Sequence, residues 1–421
     1  MDKEFFINNR QKLIKSLPEN CTLVLFSGNS KFWSGDQKYK FSINKNFYYA
    51  MGLEEENYVY VYQKADRPVE IMFIEKDNDE KYIKLSGHKK SKAHVYNVTS
   101  IQDIRYTDEF YVFIKSIDFS VTSTFYIDMI DLDCIFTNEL MLSLNLWSDN
   151  ITYYDVNIEF SKLRAIKQTC ELEKIKEAIK ITGKGIMNIL ANAKKCRYEN
   201  EIEALYDYEI KMAGIFEKAF NSDVSSGKNA TILHYNKNNS KINENDLLLV
   251  DLGVRYENYC SDISRTFPKS GHFSDRQKLL YNIVLTTQIE TMNSIQIGMT
   301  FKELNEVTRQ SFIRQLKEIN LIEKDEEIEK YYYHSVSHSL GLDAHDNRKY
   351  IDRLQQGMVI TIEPGLYIEE EGIGIRIEDD ILITADGYVD LSRDIPKEIG
   401  DIEDIMARVE INRGRGLHGG Y

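Results

Sequence analysis

The feature that most constrains the fold of this 421-residue chain is a carboxylate inside an otherwise apolar strand. Asp251 lies in the run LLLVDLG, where burying an unpaired charge would be costly, and Asp262 follows in NYCSDISRTF. We expect residues 247–254 and 259–267 to pair as an antiparallel hairpin around residues 256–257, with the two aspartates nearly opposite on one face. Two carboxylates at that separation repel each other unless a cation lies between them.

A second pair of carboxylates follows the same pattern downstream. Glu363 ends the apolar run MVITIE, and Glu378 lies in GIRIEDDILI, in which charged and apolar residues alternate. We expect a hairpin closed around residues 369–372 to bring these two side chains together. The histidine-rich segment 333–346 stands between the two predicted hairpins. Carboxylates on apolar strands, with histidines between them, favour a metal site over solvated surface charges.

The charge and chemistry of this set indicate the ions that it would bind. The candidate ligands are the four carboxylates and one neutral histidine: Asp251, Asp262, His338, Glu363 and Glu378. Two divalent cations would cancel the negative charge of the carboxylates. Ligands rich in oxygen, with one imidazole and no thiolate, favour Mn²⁺ or a similar ion over a structural zinc. A pair of such ions lowers the pKa of a bound water and stabilises a tetrahedral intermediate, so the predicted chemistry is hydrolysis.

With these residues in place, the chain resembles the Xaa-Pro aminopeptidases (aminopeptidase P) of the pita-bread metallopeptidase family. The segments that carry the resemblance are ATILHYNKNN (230–239), DLGVRYENYCSDISRTFP (251–268), YYYHSVSHSLGLDAHD (331–346), GMVITIEPGLYI (357–368) and GIGIRIEDDILIT (372–384). Segment 16–55 is similar to the amino-terminal domain of that family. The resemblance covers residues 5–406 and includes all five candidate ligands.

The resemblance implies how the metal ligands divide their work. Asp251 would bind the first ion, Asp262 and Glu378 would bridge both ions, and His338 and Glu363 would bind the second. A hydroxide held between the ions would attack the scissile carbonyl, and Glu363 would pass a proton to the leaving nitrogen. The implied substrates are peptides with proline at the second position.

Other side chains would act on the substrate, again as the resemblance implies. His345 would hydrogen-bond the carbonyl oxygen or the developing oxyanion, which makes it catalytic together with Glu363. The residues that would line the site receiving proline, and contribute to catalysis there, are His234, His334 and Arg376, with Tyr367 as a further wall of that site.

The same resemblance implies the architecture. The fold class is α/β (α+β), with a mixed-sheet amino-terminal domain over residues 1–155 and a catalytic pita-bread metallopeptidase domain over residues 156–407. We expect residues 408–421 to form a mobile tail, because they carry several arginines and glycines with little to bury, as an expression scar does. Members of the family often form dimers or tetramers, so a homo-oligomer is expected.

Local patterns predict the individual elements. Short β-prone runs occur at residues 22–27, 58–62, 71–74, 110–114 and 125–127. A helix begins near Ser161 and continues through Leu190, with an interruption around Gly183–Gly185. Further helices are predicted at 275–293 and at 301–317, where Thr300 is the N-cap. Strands are predicted at 358–363 and 374–383.

Composition excludes several kinds of partner. The formal net charge of −14 argues against nucleic-acid binding, which depends on clustered Lys and Arg. No apolar run approaches the roughly 18 residues of a membrane helix, and the first residues lack the apolar stretch of a signal peptide. The cysteines are widely spaced and form no CxxC pair, so we expect a cytoplasmic protein without a disulfide framework.

Two other functions stay open. A prolidase performs the same chemistry on Xaa-Pro dipeptides and needs a cation for the substrate carboxylate, whereas a metal-free pita-bread protein would be a binding module lacking ligands. The chain departs from the family at Ser42, where many relatives carry Arg, and at Asn347-Arg348, where relatives often have a small Val-Gly pair. Arg348 and Lys349 add cations near the site, which favours the prolidase alternative.

Overall fold

The structure is a computed structural model that describes residues 1–77, 83–84, 87–129, 135–347 and 350–414. The chain divides into two compact units, Met1–Arg164 and Ala165–Tyr421. Both units mix helices with strands, which agrees with the predicted α/β (α+β) class.

The first unit is built around a mixed sheet. Its strands are β1 (Cys21–Phe26), β2 (Phe32–Ser34), β3 (Gln37–Lys38), β4 (Val59–Lys64), β5 (Val69–Ile74), β6 (Asp103–Tyr106), β7 (Thr124–Ile127) and β8 (Thr152–Asp155). Its helices are α1 (Lys3–Ser16), α2 (Lys45–Met51), α3 (Lys92–Thr99), α4 (Phe110–Lys115), α5 (Ile135–Trp147) and α6 (Asn157–Ala165), with a 3₁₀ turn at Thr107–Glu109. Six strands form one sheet in the order β6-β5-β4-β1-β7-β8, and β2 pairs with β3.

One predicted strand of this unit is wrong. Residues 110–114 form helix α4, although the run is rich in aromatic and β-branched residues. Phe110 and Ile114 are one helical turn apart and both are buried in the core beneath the sheet, whereas Val112 between them is exposed. Packing of one helical face therefore outweighs the β propensity of the run. The other predicted strands of this unit are confirmed as β1, β4, β5 and β7.

Helix α6 belongs to the first unit rather than opening the second. The ring of Phe160 packs edge-on against Tyr49, whose hydroxyl donates to the carbonyl oxygen of Leu163 at 3.0 Å. Arg164 Nη1 donates to Asn46 Oδ1 at 2.8 Å. Because of these contacts the units divide after α6, whereas the sequence-based boundary lies at the end of β8.

The second unit carries the residues that the sequence singles out. Its helices are α7 (Thr169–Asn192), α8 (Glu199–Met212), α9 (Asp275–Asn293), α10 (Phe301–Glu318) and α11 (Ile399–Gly414), with 3₁₀ turns at Ala193–Lys195, Gly227–Thr231, Asp325–Lys330 and Glu369–Glu371. Its strands are β9 (Asp223–Ser226), β10 (Leu247–Leu252), β11 (Arg255–Tyr256), β12 (Tyr259–Cys260), β13 (Ile263–Pro268), β14 (Val359–Ile362), β15 (Gly365–Ile368), β16 (Ile373–Arg376), β17 (Asp379–Thr384) and β18 (Gly387–Asp390). They pair as β13-β10-β9, β14-β17-β18, β11-β12 and β15-β16.

Helix α7 is continuous, so the predicted interruption at Gly183–Gly185 is wrong. A β-carbon on Gly185 would lie 2.4 Å from Cδ2 of Tyr206 on α8, and one on Gly183 would lie 3.1 Å from Cγ1 of Ile395. The two glycines therefore allow Tyr206 and Ile395 to pack closely against helix α7. Their intrinsic cost to the helix is about 1 kcal/mol each, which burial of its apolar face offsets.

The later helices follow their sequence signals. The helices predicted at 275–293 and 301–317 are confirmed as α9 and α10. Thr300 caps α10 as predicted, since its Oγ1 accepts from the amide of Glu303 at 3.1 Å and Glu303 Oε2 accepts from the amide of Thr300 at 2.7 Å.

The last helix overlaps the predicted tail over residues 408–421. α11 continues to Gly414, with Ile402 and Met406 buried one turn apart and Arg408 Nη2 at 3.8 Å from Asp404 Oδ2. Residues 408–414 are therefore helical, because the buried face upstream anchors the helix. Residues 415–421 lie outside the described part of the chain.

Candidate metal centre

The first two aspartates lie on the sheet of β9, β10 and β13. β10 pairs with β13 so that Asp251 is opposite Ser264, and Asp262 lies just before β13 rather than directly opposite Asp251. The chain turns at Glu257 and Asn258, whose φ angles are 45° and 72°, rather than at residues 256–257. The two aspartates nevertheless converge, with one oxygen of each within 4.8 Å of the other.

The two glutamates lie where strands are interrupted. Glu363 follows the end of β14, and Glu378 falls between β16 and β17, so the strand predicted at 374–383 is in fact two strands. Thr361 Oγ1 donates to Glu363 Oε1 at 3.4 Å, and Ser264 Oγ donates to Glu378 Oε2 at 2.8 Å. Because Glu363 and Glu378 lie outside the strands, their side chains need not follow the alternation of strand residues between the two faces of a sheet. Both carboxylates line the same cavity.

His338 stands among these carboxylates. Its Nε2 lies 3.5 Å from Asp262 Oδ2, 3.5 Å from Glu363 Oε1 and 3.9 Å from Glu378 Oε1. Its Nδ1 lies 3.1 Å from the carbonyl oxygen of Ser339. A proton on Nδ1 that is donated to this carbonyl leaves the Nε2 lone pair directed among the carboxylates, which is how metal-binding histidines are oriented.

The electrostatics of this cluster fit divalent cations. Burial raises the pKa of Glu363 to about 8, and burial together with neighbouring carboxylates raises the pKa of Asp262 and of Glu378 well above the ordinary value. Asp251 Oδ1 is buried without a hydrogen-bond partner among the described residues. Two groups of side chains, Asp251–Asp262–Glu378 and His338–Glu363–Glu378, could each hold an ion and share Glu378. Cations there would relieve the repulsion that the raised pKa values report.

Arg376 is the cation built into the wall of the cluster. It is buried, and its Nη2 donates to Asp251 Oδ2 at 2.6 Å, its Nη1 to the hydroxyl of Tyr367 at 3.0 Å and its Nε to Ser264 Oγ at 2.8 Å. These bonds fix Oδ2 of Asp251, while its Oδ1 has no hydrogen-bond partner among the described residues. The guanidinium therefore positions the aspartate and the tyrosine together.

Three of the residues expected to receive proline, His234, His334 and Arg376, line one cavity of about 550 Å³, whereas Tyr367 is not among its lining residues. His334 Nε2 lies 2.9 Å from the hydroxyl of Tyr367, and its Nδ1 lies 2.9 Å from the carbonyl oxygen of Ser335. Burial and nearby Arg376 lower the pKa of His334 to about 4, so this ring is neutral near pH 7. His234 is exposed and lines the same cavity.

His345 is more exposed than the other members of the cluster. Its ring centroid lies 4.2 Å from that of His338, and its ring can also form a group with Asp262 and His338 that could hold an ion. Its neighbour Asp346 forms a buried ion pair with Lys167, with Nζ at 3.1 Å from Oδ2. This pair anchors the segment that carries His345.

Several side chains of the site gave no sequence signal. Asp223 on β9 lies directly opposite Asp251, lines the cavity, and has its pKa raised to about 7 by burial and then by Asp251. Asp380 Oδ2 accepts from the amide of Asp262 at 3.1 Å and so orients that residue. The Ser264 hydroxyl joins Glu378 to Arg376. Each depends on strand pairing, which local sequence does not reveal.

The two places where the sequence departs from the family pattern are described to different extents by the structure. Arg348 and Lys349 lie outside the described residues, while Asn347 is half-buried at the edge of the site. Ser42 is exposed in the first unit. Within the described ranges, no helix combines the length and the apolar character needed to cross a membrane.

Comparison with known proteins places this geometry in a family. The model of metallopeptidase family M24 matches residues 173–385, and the model of the aminopeptidase P N-terminal domain matches residues 6–125. A Haemophilus influenzae Xaa-Pro aminopeptidase is 28% identical over 96% of this chain and 98% of its own length. The mitochondrial intermediate cleaving peptidase 55 of Arabidopsis thaliana is 30% identical over 96% of this chain and 83% of its own.

Solved structures agree with the sequence comparison. The structure of a proposed aminopeptidase P from Bacillus anthracis superimposes with a TM-score of 0.93 at 42% identity, covering 98% of this chain and all of that one. The amino-terminal match, the carboxy-terminal match and the converged carboxylates point to one conclusion. The chain belongs to metallopeptidase family M24, the pita-bread metallopeptidases, as a member that carries the aminopeptidase P amino-terminal domain.

Proposed function

We propose that this chain is an Xaa-Pro aminopeptidase, which removes the first residue of a peptide when proline follows it. The observation that carries the proposal is the convergence of the candidate ligands with His334 and Arg376 around one cavity, with the hydroxyl of Tyr367 hydrogen-bonded to both. The whole-length similarity to a protein named as an Xaa-Pro aminopeptidase supports it. All of these residues lie in the second unit, Ala165–Tyr421, so we assign catalysis to that unit and a non-catalytic role to the first.

The proposed metal ligands are Asp251, Asp262, His338, Glu363 and Glu378, holding two divalent ions. Mn²⁺ is favoured because oxygen donors dominate the set and thiolates are absent from it. When bound, the ions would lower the pKa of a water to make the nucleophile and would stabilise the charge that develops on the scissile carbonyl. The charge of the four carboxylates matches that of two such ions.

The side chains of the protein would orient the peptide and move protons. Glu363 Oε1 would take a proton from the attacking water and release it to the departing proline nitrogen. His345 would donate a hydrogen bond to the carbonyl oxygen as its charge grows. The free amine of the substrate would lie beside Asp251, whose orientation Arg376 fixes.

The cavity suits the tertiary amide bond that precedes proline. This bond has no N–H to recognise, and the ring holds its φ angle near −65°. His334 lines the cavity, is neutral and is held in place by its hydrogen bond to Tyr367, so its ring forms a fixed wall of moderate polarity. Such a wall can contact a pyrrolidine ring without demanding a donor from the peptide backbone.

A matched peptide panel tests the proposal. The Mn²⁺-loaded enzyme would be assayed on Met-Pro-Yaa, Met-Ala-Yaa and the dipeptide Met-Pro. We expect kcat/KM to be highest for Met-Pro-Yaa and at least about 10²-fold lower for Met-Ala-Yaa, since the proline site is then unfilled. Equal rates on Pro and Ala peptides would contradict the proposal, and no hydrolysis by the metal-loaded protein would favour the binding-module alternative.

The prolidase alternative has its own test. A dipeptide ends in a carboxylate next to the scissile bond, and a fixed cation there would reward dipeptides over longer chains. Arg348 is the candidate cation. We expect Arg348→Ala to change kcat/KM by less than about tenfold. A strong dipeptide preference that disappears in Arg348→Ala would establish a prolidase.

We also propose that the protein is a homo-oligomer, a dimer or a tetramer. Light scattering would measure its molar mass in solution.

A further inference from the structure

One carboxylate in the catalytic cavity lies outside the proposed ligand set. Asp223 is 9% exposed, begins β9 and lines the cavity that the ligands share. Across the part of the chain that the structure describes, no hydrogen bond or ion pair engages its side chain. A buried carboxylate of this kind is costly to the fold unless a cation reaches it, and the open side of Asp223 is the cavity.

The cation nearest to this part of the wall is already engaged. Arg376 directs its three kinds of donor nitrogen at Asp251, Tyr367 and Ser264, with distances of 2.6 to 3.0 Å. The remaining lining residues of segments 220–223 and 233–236 are apolar, amide or imidazole side chains: Phe220, Asn221, Leu233, His234 and Asn236. An apolar and amide wall that leads to one carboxylate suits an aliphatic side chain with a cationic tip.

The register of the sheet relates Asp223 to the substrate. Asp223 and Asp251 are direct partners across β9 and β10, and residues opposed in this way project from the same face with β-carbons about 4.5–5.5 Å apart. Ser264 lies across the other edge of β10, and Asp262, two residues earlier, just precedes β13. Asp223 is thus beside Asp251, on the side away from Asp262. Because the proposed function puts the free amine of the substrate beside Asp251, the side chain of the first residue starts within reach of Asp223.

We infer that Asp223 makes this peptidase select peptides whose first residue is cationic, lysine or arginine. The inference rests on the proposed function and names its substrate class. A lysine ammonium or arginine guanidinium would form a charge-assisted hydrogen bond with the carboxylate in a cavity that is partly shielded from water. An uncharged first residue of similar length would leave the carboxylate unpaired, which lowers its transition-state binding.

The test compares isosteric substrates in matched variants. Lys-Pro-Yaa would be compared with norleucine-Pro-Yaa, which keeps the chain and lacks the ammonium, using the Mn²⁺-loaded wild type, Asp223→Asn and Asp394→Asn. The last variant removes one carboxylate from a side chain that is 95% exposed and is therefore the matched control. Melting temperature and bound Mn²⁺ would confirm that each variant is folded and loaded.

We expect the wild type and Asp394→Asn to prefer Lys over norleucine by about tenfold or more in kcat/KM, the scale of one charge-assisted pair. Asp223→Asn should reduce that ratio to less than about threefold, by lowering kcat/KM for the Lys peptide more than for the norleucine peptide. A wild type that treats both peptides equally would overturn the inference. An equal loss on both peptides in Asp223→Asn would also overturn it, because Asp223 would then serve the α-amine. Failure to cleave either peptide would instead refute the proposed function.

Discussion

Glu378 and Asp379 are adjacent in sequence and almost completely buried, yet their charges are handled in opposite ways. Asp379 accepts from Arg265 Nη2 at 2.7 Å and from Lys397 Nζ at 2.6 Å. Burial alone would raise the pKa of Asp379, but these two cations hold it below its ordinary value. Asp379 is thus a carboxylate that the fold has neutralised with its own side chains.

Glu378 has no comparable partner among the described residues. Its described hydrogen-bond donor is the Ser264 hydroxyl, and burial together with Glu363 and Asp251 raises its pKa well above the ordinary value. The difference teaches how to distinguish two kinds of buried acid. A buried carboxylate that pairs with cationic side chains of the protein contributes to the stability of the fold. A cluster of buried carboxylates with too few such partners is a candidate binding site for an external cation.

Replacing each of these two acids by its amide tests whether Glu378 binds metal and Asp379 stabilises the fold. Glu378→Gln should lower kcat/KM by at least about 10³-fold and remove bound Mn²⁺, because it takes away an oxygen shared by both ion-binding groups. The melting temperature of the metal-free protein should stay the same or rise, since a repulsive charge is lost. Metal analysis, kinetics and thermal unfolding measure the three effects.

Asp379→Asn should have the reverse profile. It leaves Arg265 buried without its counter-charge and leaves Lys397 with Asp390 alone, which costs about 3–5 kcal/mol in the free energy of unfolding. Bound Mn²⁺ per folded chain should be retained. Denaturant unfolding of the metal-free proteins measures this, and a stable Asp379→Asn that has lost its metal would refute the distinction between the two residues.

Glu171 sharpens the comparison through pH. It accepts from the hydroxyl of Tyr259 and the amide of Gln168, both at 2.9 Å, and burial raises its pKa from 4.5 to about 7 despite nearby Lys167. Because the folded pKa is the higher one, the stability from this group is complete below about pH 4.5 and is lost as pH rises through about 7.

The measurement for this prediction is a difference. The free energy of unfolding of the wild type minus that of Glu171→Gln should fall by about 3 kcal/mol between pH 4.5 and pH 7, from the size of the shift. A difference that is flat or that rises with pH would show that the hydrogen bonds outweigh burial at this residue.

The smallest expected effect concerns His345, at the exposed edge of the cluster. His345→Ala should lower kcat by about 10²-fold, the scale of one lost oxyanion donor, with bound Mn²⁺ unchanged. His272→Ala, at an exposed histidine of the same unit, is the control and should have wild-type activity. Loss of metal in His345→Ala would mean that this residue is a ligand, as its contact with His338 also allows.

The sequence revealed acids of the candidate metal centre because their signal is local. A charge inside an apolar run is visible at Asp251 and Glu363 without any knowledge of the fold. The register was harder: the turn at Glu257 and Asn258 puts Asp251 opposite Ser264, and no local pattern specifies that shift. Helix α4 was missed because tertiary packing reversed its propensity.

The buried acids that pair with cationic side chains of the protein could not be predicted, because their signal is not local. Asp379 meets Arg265 and Lys397, and Asp346 meets Lys167, only after distant segments have folded together. From sequence alone these charges look like solvated surface residues. Asp223 was missed for the same reason, since its place beside Asp251 follows from the pairing of β9 with β10.

The central claim is that the cluster of Asp251, Asp262, Glu363 and Glu378, in which Arg376 pairs with Asp251, holds two divalent ions. Anomalous diffraction from a Mn²⁺-soaked crystal tests it most directly. The account predicts two peaks roughly 3.5 Å apart, with carboxylate oxygens about 2.0–2.3 Å from them, contributed by Asp251, Asp262, Glu363 and Glu378, and with His338 on one ion. A loaded crystal in which one of these five side chains points away, or in which a peak lies at Asp379 instead, would contradict it.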